Sequence, residues 1–306
     1  MTRLSLGINT CFAVKRWPEP ADWAAVVADE LGLDSVQLSL DLFPPTFDAD
    51  VARAYAWLAG STAADRGLEI HSVFTGLGAY SGSLLLSADE ERRRQALDWY
   101  TRVLELAALT GARGAGGHVG AVSVPAWEDT ECVSRLRESQ VVLMRSLAET
   151  ADGLGLDHLQ FENLAVQREY GSRVEEAAAL EEQLTGCPVP WVLCLDLGHP
   201  VAIAGASQDP LTEWLRHPWA HTPVIQLQQA AAGADGHLPF TDETNRSGGV
   251  QRDRVLEELA GWGDVDVHMF LEVIPAHEAD DAAVLADLRR SVEFWRDGIE
   301  AFGLSS

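Results

Sequence analysis

Residues Leu156 to His199, LDHLQFENLAVQREYGSRVEEAAALEEQLTGCPVPWVLCLDLGH, decide the fold. Two short apolar runs stand out in this segment, Leu159-Gln160-Phe161-Glu162-Asn163 and Trp191-Val192-Leu193-Cys194-Leu195-Asp196. Each is bounded by turn residues, and helical sequence lies between them, which is the pattern of two parallel strands buried on both faces. Each run also delivers a carboxylate at its C-terminal end. A carboxylate there is costly to desolvate unless a cation or a hydrogen-bond network receives it. Two later runs repeat the pattern: Val224-Ile225-Gln226-Leu227-Gln228 ends in amides and Val267-His268-Met269-Phe270-Leu271-Glu272 in a carboxylate. Four successive strands thus bring Glu162, Asp196, Gln228 and Glu272 to one rim, an oxygen-rich cage for a divalent cation. Magnesium, manganese, cobalt and zinc all suit such a donor set.

Outward from this segment, strands and helices alternate along the whole chain. Strands are predicted at Leu4–Phe12, Ser35–Leu42, Leu68–Thr75, Ala115–Val119, Leu156–Leu164, Val189–Leu195, Pro223–Gln228 and Val267–Ile274. Helical patterns separate them. One is the stretch Asp89–Leu109, with Ser87 as its expected N-cap and Gly111 as its stop. Eight such units in 306 residues predict a (β/α)8 TIM barrel of the α/β class. No Pro- or Gly-rich linker divides the chain, so residues 1–306 are expected to form one domain. A doubly wound open sheet is the structural alternative, but it would not require polar residues at so many strand ends.

In a barrel of this kind the site lies at the C-terminal rim. The candidate substrate-binding residues are therefore Asn9, His71, His118, His199 and Gln226 on strand ends, with Arg168 and Glu169 in the loop after Glu162. The long loop after the seventh strand adds His237. It also adds Arg246, which with Ser247-Gly248-Gly249 could hold an anion through backbone N–H groups. His158, His217, His221 and His268 fall away from the rim.

The net charge of -25 disfavours a nucleic-acid partner. The four cysteines are scattered without CxxC spacing, which suits a reduced compartment. No run approaches the ~20 apolar residues that span a bilayer, and the N-terminus has no apolar signal core. A cytoplasmic protein without a membrane partner is expected.

Phe161-Glu162-Asn163, Asp196-x-x-His199, the strand-seven polar residue and Leu271-Glu272 together resemble the metal site of the xylose-isomerase-like barrel superfamily of sugar isomerases and epimerases. Members usually carry His at the strand-seven position. Gln228 stands there in this chain, as in the hydroxypyruvate isomerase branch. Arg168-Glu169, Gly116-Gly117-His118-Val119-Gly120, Gln226–Gln229, His237–Thr241 and Ala276-His277-Glu278 resemble the tetrulose-phosphate isomerases of erythritol catabolism, which act on erythrulose 1-phosphate.

The resemblance implies one divalent metal ion and a small sugar or sugar phosphate as substrate. It further implies aldose–ketose or ketose–ketose interconversion through an enediol, with Glu162 and Glu272 as bases on opposite faces of the substrate. His199 and Arg168 would hold hydroxyls, and homo-oligomers are common in the family. A metal-dependent dehydratase of the inosose or dehydroshikimate type is the alternative on the same barrel. An apurinic endonuclease would need more histidines and a basic groove.

Overall fold

The computed structural model describes residues 1–80, 82–203 and 209–305. Ten strands are present among them: β1 (Arg3–Asn9), β2 (Ser35–Ser39), β3 (Glu69–Phe74), β4 (Gly114–Gly117), β5 (His158–Glu162), β6 (Trp191–Asp196), β7 (Val224–Leu227), β8 (Gln229–Ala231), β9 (Ala234–Leu238) and β10 (Asp266–Leu271). Eight of them close into a barrel in the order β1-β10-β7-β6-β5-β4-β3-β2, and all its pairings are parallel. The two apolar runs read first are β5 and β6, and every residue of both is buried.

Local chemistry sets the helices between the strands. Asp48, Asp89, Asp129 and Asp280 each sit at an N-cap and accept first-turn N–H groups. The helix expected to be capped by Ser87 is capped by Asp89. The Ser87 hydroxyl instead accepts the Asp89 N–H at 3.3 Å, one link upstream. Gly111 does end that helix, in the left-handed conformation at φ 76°.

Glycine is required on β4. A Cβ on Gly116 would lie 2.0 Å from the Gln160 carbonyl oxygen of β5, and its φ of +150° is one that L side chains rarely adopt. This close approach draws β4 against β5 and brings the His118 loop beside Glu162.

The second departure from expectation follows β7. The long loop expected there is a two-stranded antiparallel hairpin, β8–β9, followed by a short helix at Asp242–Ser247. Thr241 and Thr244 form a reciprocal capping box at its start.

The lower half of the barrel holds a histidine cluster. The His71 ring lies 4.5 Å from that of His268, 5.0 Å from that of His158 and 5.1 Å from that of Phe270. Burial, then the neighbouring Arg113, holds His158 down to about 4, and burial also lowers His71 well below the usual imidazole value. These groups are neutral when folded, so the unfolded chain binds protons that the folded chain refuses. Stability from this source is full above pH 6.5 and is lost as pH falls towards about 4. The His158 shift alone corresponds to about 3 kcal/mol. Urea midpoints at pH 7 and pH 4.5 should show that loss, and His158→Asn should reduce it. A His158→Asn protein with the parent's full pH dependence would refute the assignment.

No described helix is long and apolar enough to cross a membrane.

Candidate active site

Register places the carboxylates. Glu162 pairs with Cys194, Asp196 with Gln226, and the Glu272 N–H donates to the Leu227 carbonyl at 2.9 Å. Three ends of the four adjacent strands β5, β6, β7 and β10 thereby bring their acids to one level of the C-terminal mouth. One oxygen from each of Glu162, Asp196 and Glu272 lies within 4.8 Å of the other two, and all three residues are buried.

Asp196 is anchored on all sides. Its Oδ1 accepts the N–H groups of Gly198 at 2.6 Å and His199 at 3.1 Å, and Gln228 Nε2 reaches both its oxygens. Asn163 brackets its backbone, accepting the Asp196 N–H and donating to the Asp196 carbonyl. The two glutamates are less satisfied. Glu162 Oε2 and Glu272 Oε2 are buried with no hydrogen-bond partner among the described residues. Burial first, then Asp196, raises the Glu162 carboxyl well above its usual range. Burial first, then Glu162 and Asp196, does the same to Glu272. Buried, mutually repelling acids with ligand atoms within 4.8 Å of one another, two of them carrying an unpartnered oxygen, fit a divalent cation.

Histidines surround the acids. His199 Nδ1 lies 2.8 Å from the Asn163 carbonyl, so it carries the proton and leaves Nε2 with a free lone pair. His118 Nδ1 stands 3.3 Å from Glu162 Oε2 but off the direction of a hydrogen bond. Its ring is held edge-on by Tyr80 at 4.2 Å and Phe74 at 5.5 Å. His237 Nε2 approaches Glu272 Oε2 at 3.7 Å.

Below this level lies a layer of amides. Asn9 donates to Gln37 at 2.8 Å and to Glu272 Oε1 at 3.3 Å, Gln226 donates to Gln37 at 2.7 Å, and Gln37 donates to Gln160 at 3.1 Å. Asn9 and Gln226 were expected to meet substrate. Their donors are instead used here, in positioning Glu272 and filling the barrel.

Three further expectations are corrected. His71 is not at the rim, because β3 runs on to Phe74 and leaves it about 10 Å lower, in the histidine cluster of the barrel floor. Gln228 presents its amide nitrogen to Asp196, and its Oε1 accepts the His237 N–H at 2.7 Å, so it braces a carboxylate in this arrangement. Arg246 is exposed in the helix Asp242–Ser247, and the N–H groups of Gly248 and Gly249 donate to the carbonyls of Thr244 and Ala230. No N–H of that glycine pair is left for an anion.

Arg168 and Glu169 lie near the mouth. Glu169 accepts the N–H groups of Val119 at 3.1 Å and Gly120 at 2.9 Å, which pins the His118 loop, and burial raises its carboxyl to about 8. Arg168 donates to the Val122 carbonyl and lines a cleft of about 240 Å³ with Tyr80, Ser83 and His118. Tyr80 and His118 also line the space over Glu162 and Glu272, so the two spaces adjoin.

Asp235 was not singled out in the sequence. It sits on β9, with Oδ1 3.5 Å from His237 Nδ1 and Oδ2 3.6 Å from His199 Nε2. Its signal was the Asp235-Gly236-His237 spacing, which puts both side chains on one face of a strand.

The sequence profile of the xylose isomerase-like TIM barrel matches residues 25–302. The chain belongs to that family. A D-erythrulose 1-phosphate 3-epimerase from Brucella abortus (strain 2308) is 26% identical over 309 aligned residues, covering 97% of each chain. A crystal structure from Rhodospirillum rubrum ATCC 11170, named as a candidate xylose isomerase, is 28% identical, with a TM-score of 0.89 over 96% of this chain and 99% of that one. The D-psicose 3-epimerase of Clostridium cellulolyticum H10 shares the fold with a TM-score of 0.72 at 18% identity, over 99% of this chain and 100% of that one.

Proposed function

We propose that this chain is a divalent-metal-dependent epimerase or isomerase of short ketoses, with erythrulose 1-phosphate as the first substrate to test. The observation that carries this is the facing pair Glu162 and Glu272. Both are buried, both have carboxyls raised above their usual range, both carry an unpartnered oxygen, and both line the same space. Inverting a carbon beside a carbonyl requires removing a proton from one face and delivering one to the other. Two buried acids with raised carboxyls, one on each side of the substrate, would suit that task. The near full-length likeness to a 3-epimerase of a tetrulose phosphate supports the same reaction class.

Glu162, Asp196 and Glu272 would hold the ion, and magnesium, manganese, cobalt or zinc suits these donors. When bound, it supplies Lewis-acid polarisation of the substrate carbonyl, which acidifies the neighbouring C–H. One glutamate then takes the proton from that carbon, and the other returns one on the opposite face. The roles exchange when the reaction runs backwards. His199 Nε2 accepts a substrate hydroxyl hydrogen through its free lone pair. Tyr80, His118 and Phe74 close the side of the mouth and exclude water. Arg168 faces the adjoining cleft, where a phosphate on the terminal carbon would meet a cation in an otherwise acidic protein.

Incubation with erythrulose 1-phosphate and with free erythrulose in heavy water, followed by proton magnetic resonance, tests the assignment. Deuterium should enter at the carbon next to the carbonyl, with the epimer or isomer accumulating and the phosphorylated substrate preferred. The absence of exchange with any three- to six-carbon ketose or its phosphate would refute it. A product absorbing as an enone would establish dehydration instead.

A further inference from the structure

We propose that Asp41 is a positioning residue of this site: its carboxylate latches the turn Gly76–Tyr80 as a lid over Glu162 and Glu272, and the latch releases to admit substrate. This inference rests on the active site assigned above and adds the element that opens it. The space over the two acids is closed. Cys11, Asp41, Leu77 and Tyr80 stand among its walls with Glu162 and Glu272, and it encloses about 10 Å³, room for about one water. A ketose does not fit. The adjoining cleft of about 240 Å³ lies beyond Tyr80 and His118.

The other walls are fixed. Glu162 ends β5 and Glu272 follows β10. The His118 loop is pinned by Glu169 at Val119 and Gly120, and by the Thr75 hydroxyl, which accepts the His118 N–H at 2.9 Å. The turn is attached differently. The Thr75 N–H still donates to the Gly116 carbonyl of β4, at 2.9 Å. Beyond it, the N–H groups of Leu77 and Gly78 donate to Asp41 Oδ2 and Oδ1, each at 3.0 Å. Ser39 Oγ donates to Oδ2 at 3.0 Å and steadies the carboxylate. Leu77 and Tyr80 are exposed, so much of the turn's apolar surface faces solvent and little burial holds it down. Gly76 begins the turn at φ +67° and ψ −174°, a backbone conformation essentially confined to glycine. A Cβ there would lie 2.6 Å from Asp41 Oδ2, so the glycine is what lets the carboxylate sit under the turn. One carboxylate receiving two adjacent N–H groups is an attachment that breaks as a unit.

Thiol labelling tests this. Cys11 lies under the lid, and Cys194 lies in the amide layer below, its Sγ 3.9 Å from Gln37 Nε2; both are buried. In the metal-free parent, iodoacetamide should modify Cys11 at least about tenfold faster than Cys194, as read by peptide mass spectrometry. Asp41→Asn should speed Cys11 by about tenfold or more, because the two N–H groups lose their charged acceptor, and leave Cys194 unchanged. After burial and Glu272, the Asp41 charge also raises the Cys11 thiol. Gly76→Ala keeps that charge but displaces the carboxylate, and it should show the same acceleration. Acceleration in Asp41→Asn without Gly76→Ala traces to the charge and overturns the latch, as does acceleration in neither. Joint acceleration of Cys11 and Cys194 in a variant that circular dichroism shows to be folded overturns it too. Equal rates at the two cysteines in the parent mean that the site opens only by unfolding, which overturns the lid whether or not the variants fold. The labelling uses neither metal nor ketose, so its outcome is separate from that of the turnover experiment.

Discussion

Glu162→Gln and Glu272→Gln should each lower kcat for epimerisation by about a thousandfold, measured at saturating metal. General acid–base catalysis by a positioned side chain contributes roughly 10² to 10⁴. The amide keeps the shape but removes the proton acceptor together with the negative charge. Because both residues are also expected to hold the ion, metal content must be measured alongside turnover. The exchange pattern then separates the two roles. If the glutamates serve opposite faces, each variant still exchanges the proton of one epimer with heavy water while failing to interconvert the two. Loss of the ion instead abolishes exchange with both. Turnover by either variant within tenfold of the parent's would end the two-base assignment.

The barrel was legible because its signal is repeated. Each apolar run is short, fully buried and followed by a helical pattern, and these features do not depend on distant contacts. The three carboxylates were legible for the same reason. An acid at the end of a buried strand has few uses, and the strand ends share one rim once the barrel closes. What was not legible depends on where a strand stops. His71 and Asn9 look like rim residues in one dimension, but β3 continues to Phe74, and Asn9 turns its amide towards Gln37 and Glu272. The segment after β7 was hidden differently. Ala230 to Gly236 is rich in Ala and Gly, with weak strand propensity, and it pairs only because the hairpin folds back on itself. That missed pairing is what concealed Asp235, and it left His237 looking like a loop residue.

Removing the divalent ion should abolish turnover and also lower the thermal midpoint, because the site is built from groups that repel one another. Glu162, Asp196 and Glu272 are at most 3% exposed and lie within 4.8 Å of each other, and among the described residues only histidines, no Lys or Arg, stand against them. A ligand that binds only the folded state at about a thousand times its Kd adds about 4 kcal/mol. For a chain of 306 residues that corresponds to a midpoint shift of about 6 °C. The same electrostatics predict an inversion of the usual mutational sign. In the metal-free protein, Glu272→Gln removes a buried group whose carboxyl is pushed up by burial and by Glu162 and Asp196. The variant should melt at or above the metal-free parent, although it melts below the parent once the ion is present. The pH dependence has a defined direction. A carboxyl raised in the folded state costs nothing below its ordinary value of 4.5, where the unfolded chain is protonated as well, and the penalty grows as pH rises above that value. The advantage of Glu272→Gln over the metal-free parent should therefore widen from pH 5 to pH 8. Scanning calorimetry of both proteins, with and without chelator, checks each sign. A metal-free Glu272→Gln protein that melts well below its parent at pH 8 would mean that the three acids are stabilised by something other than a cation.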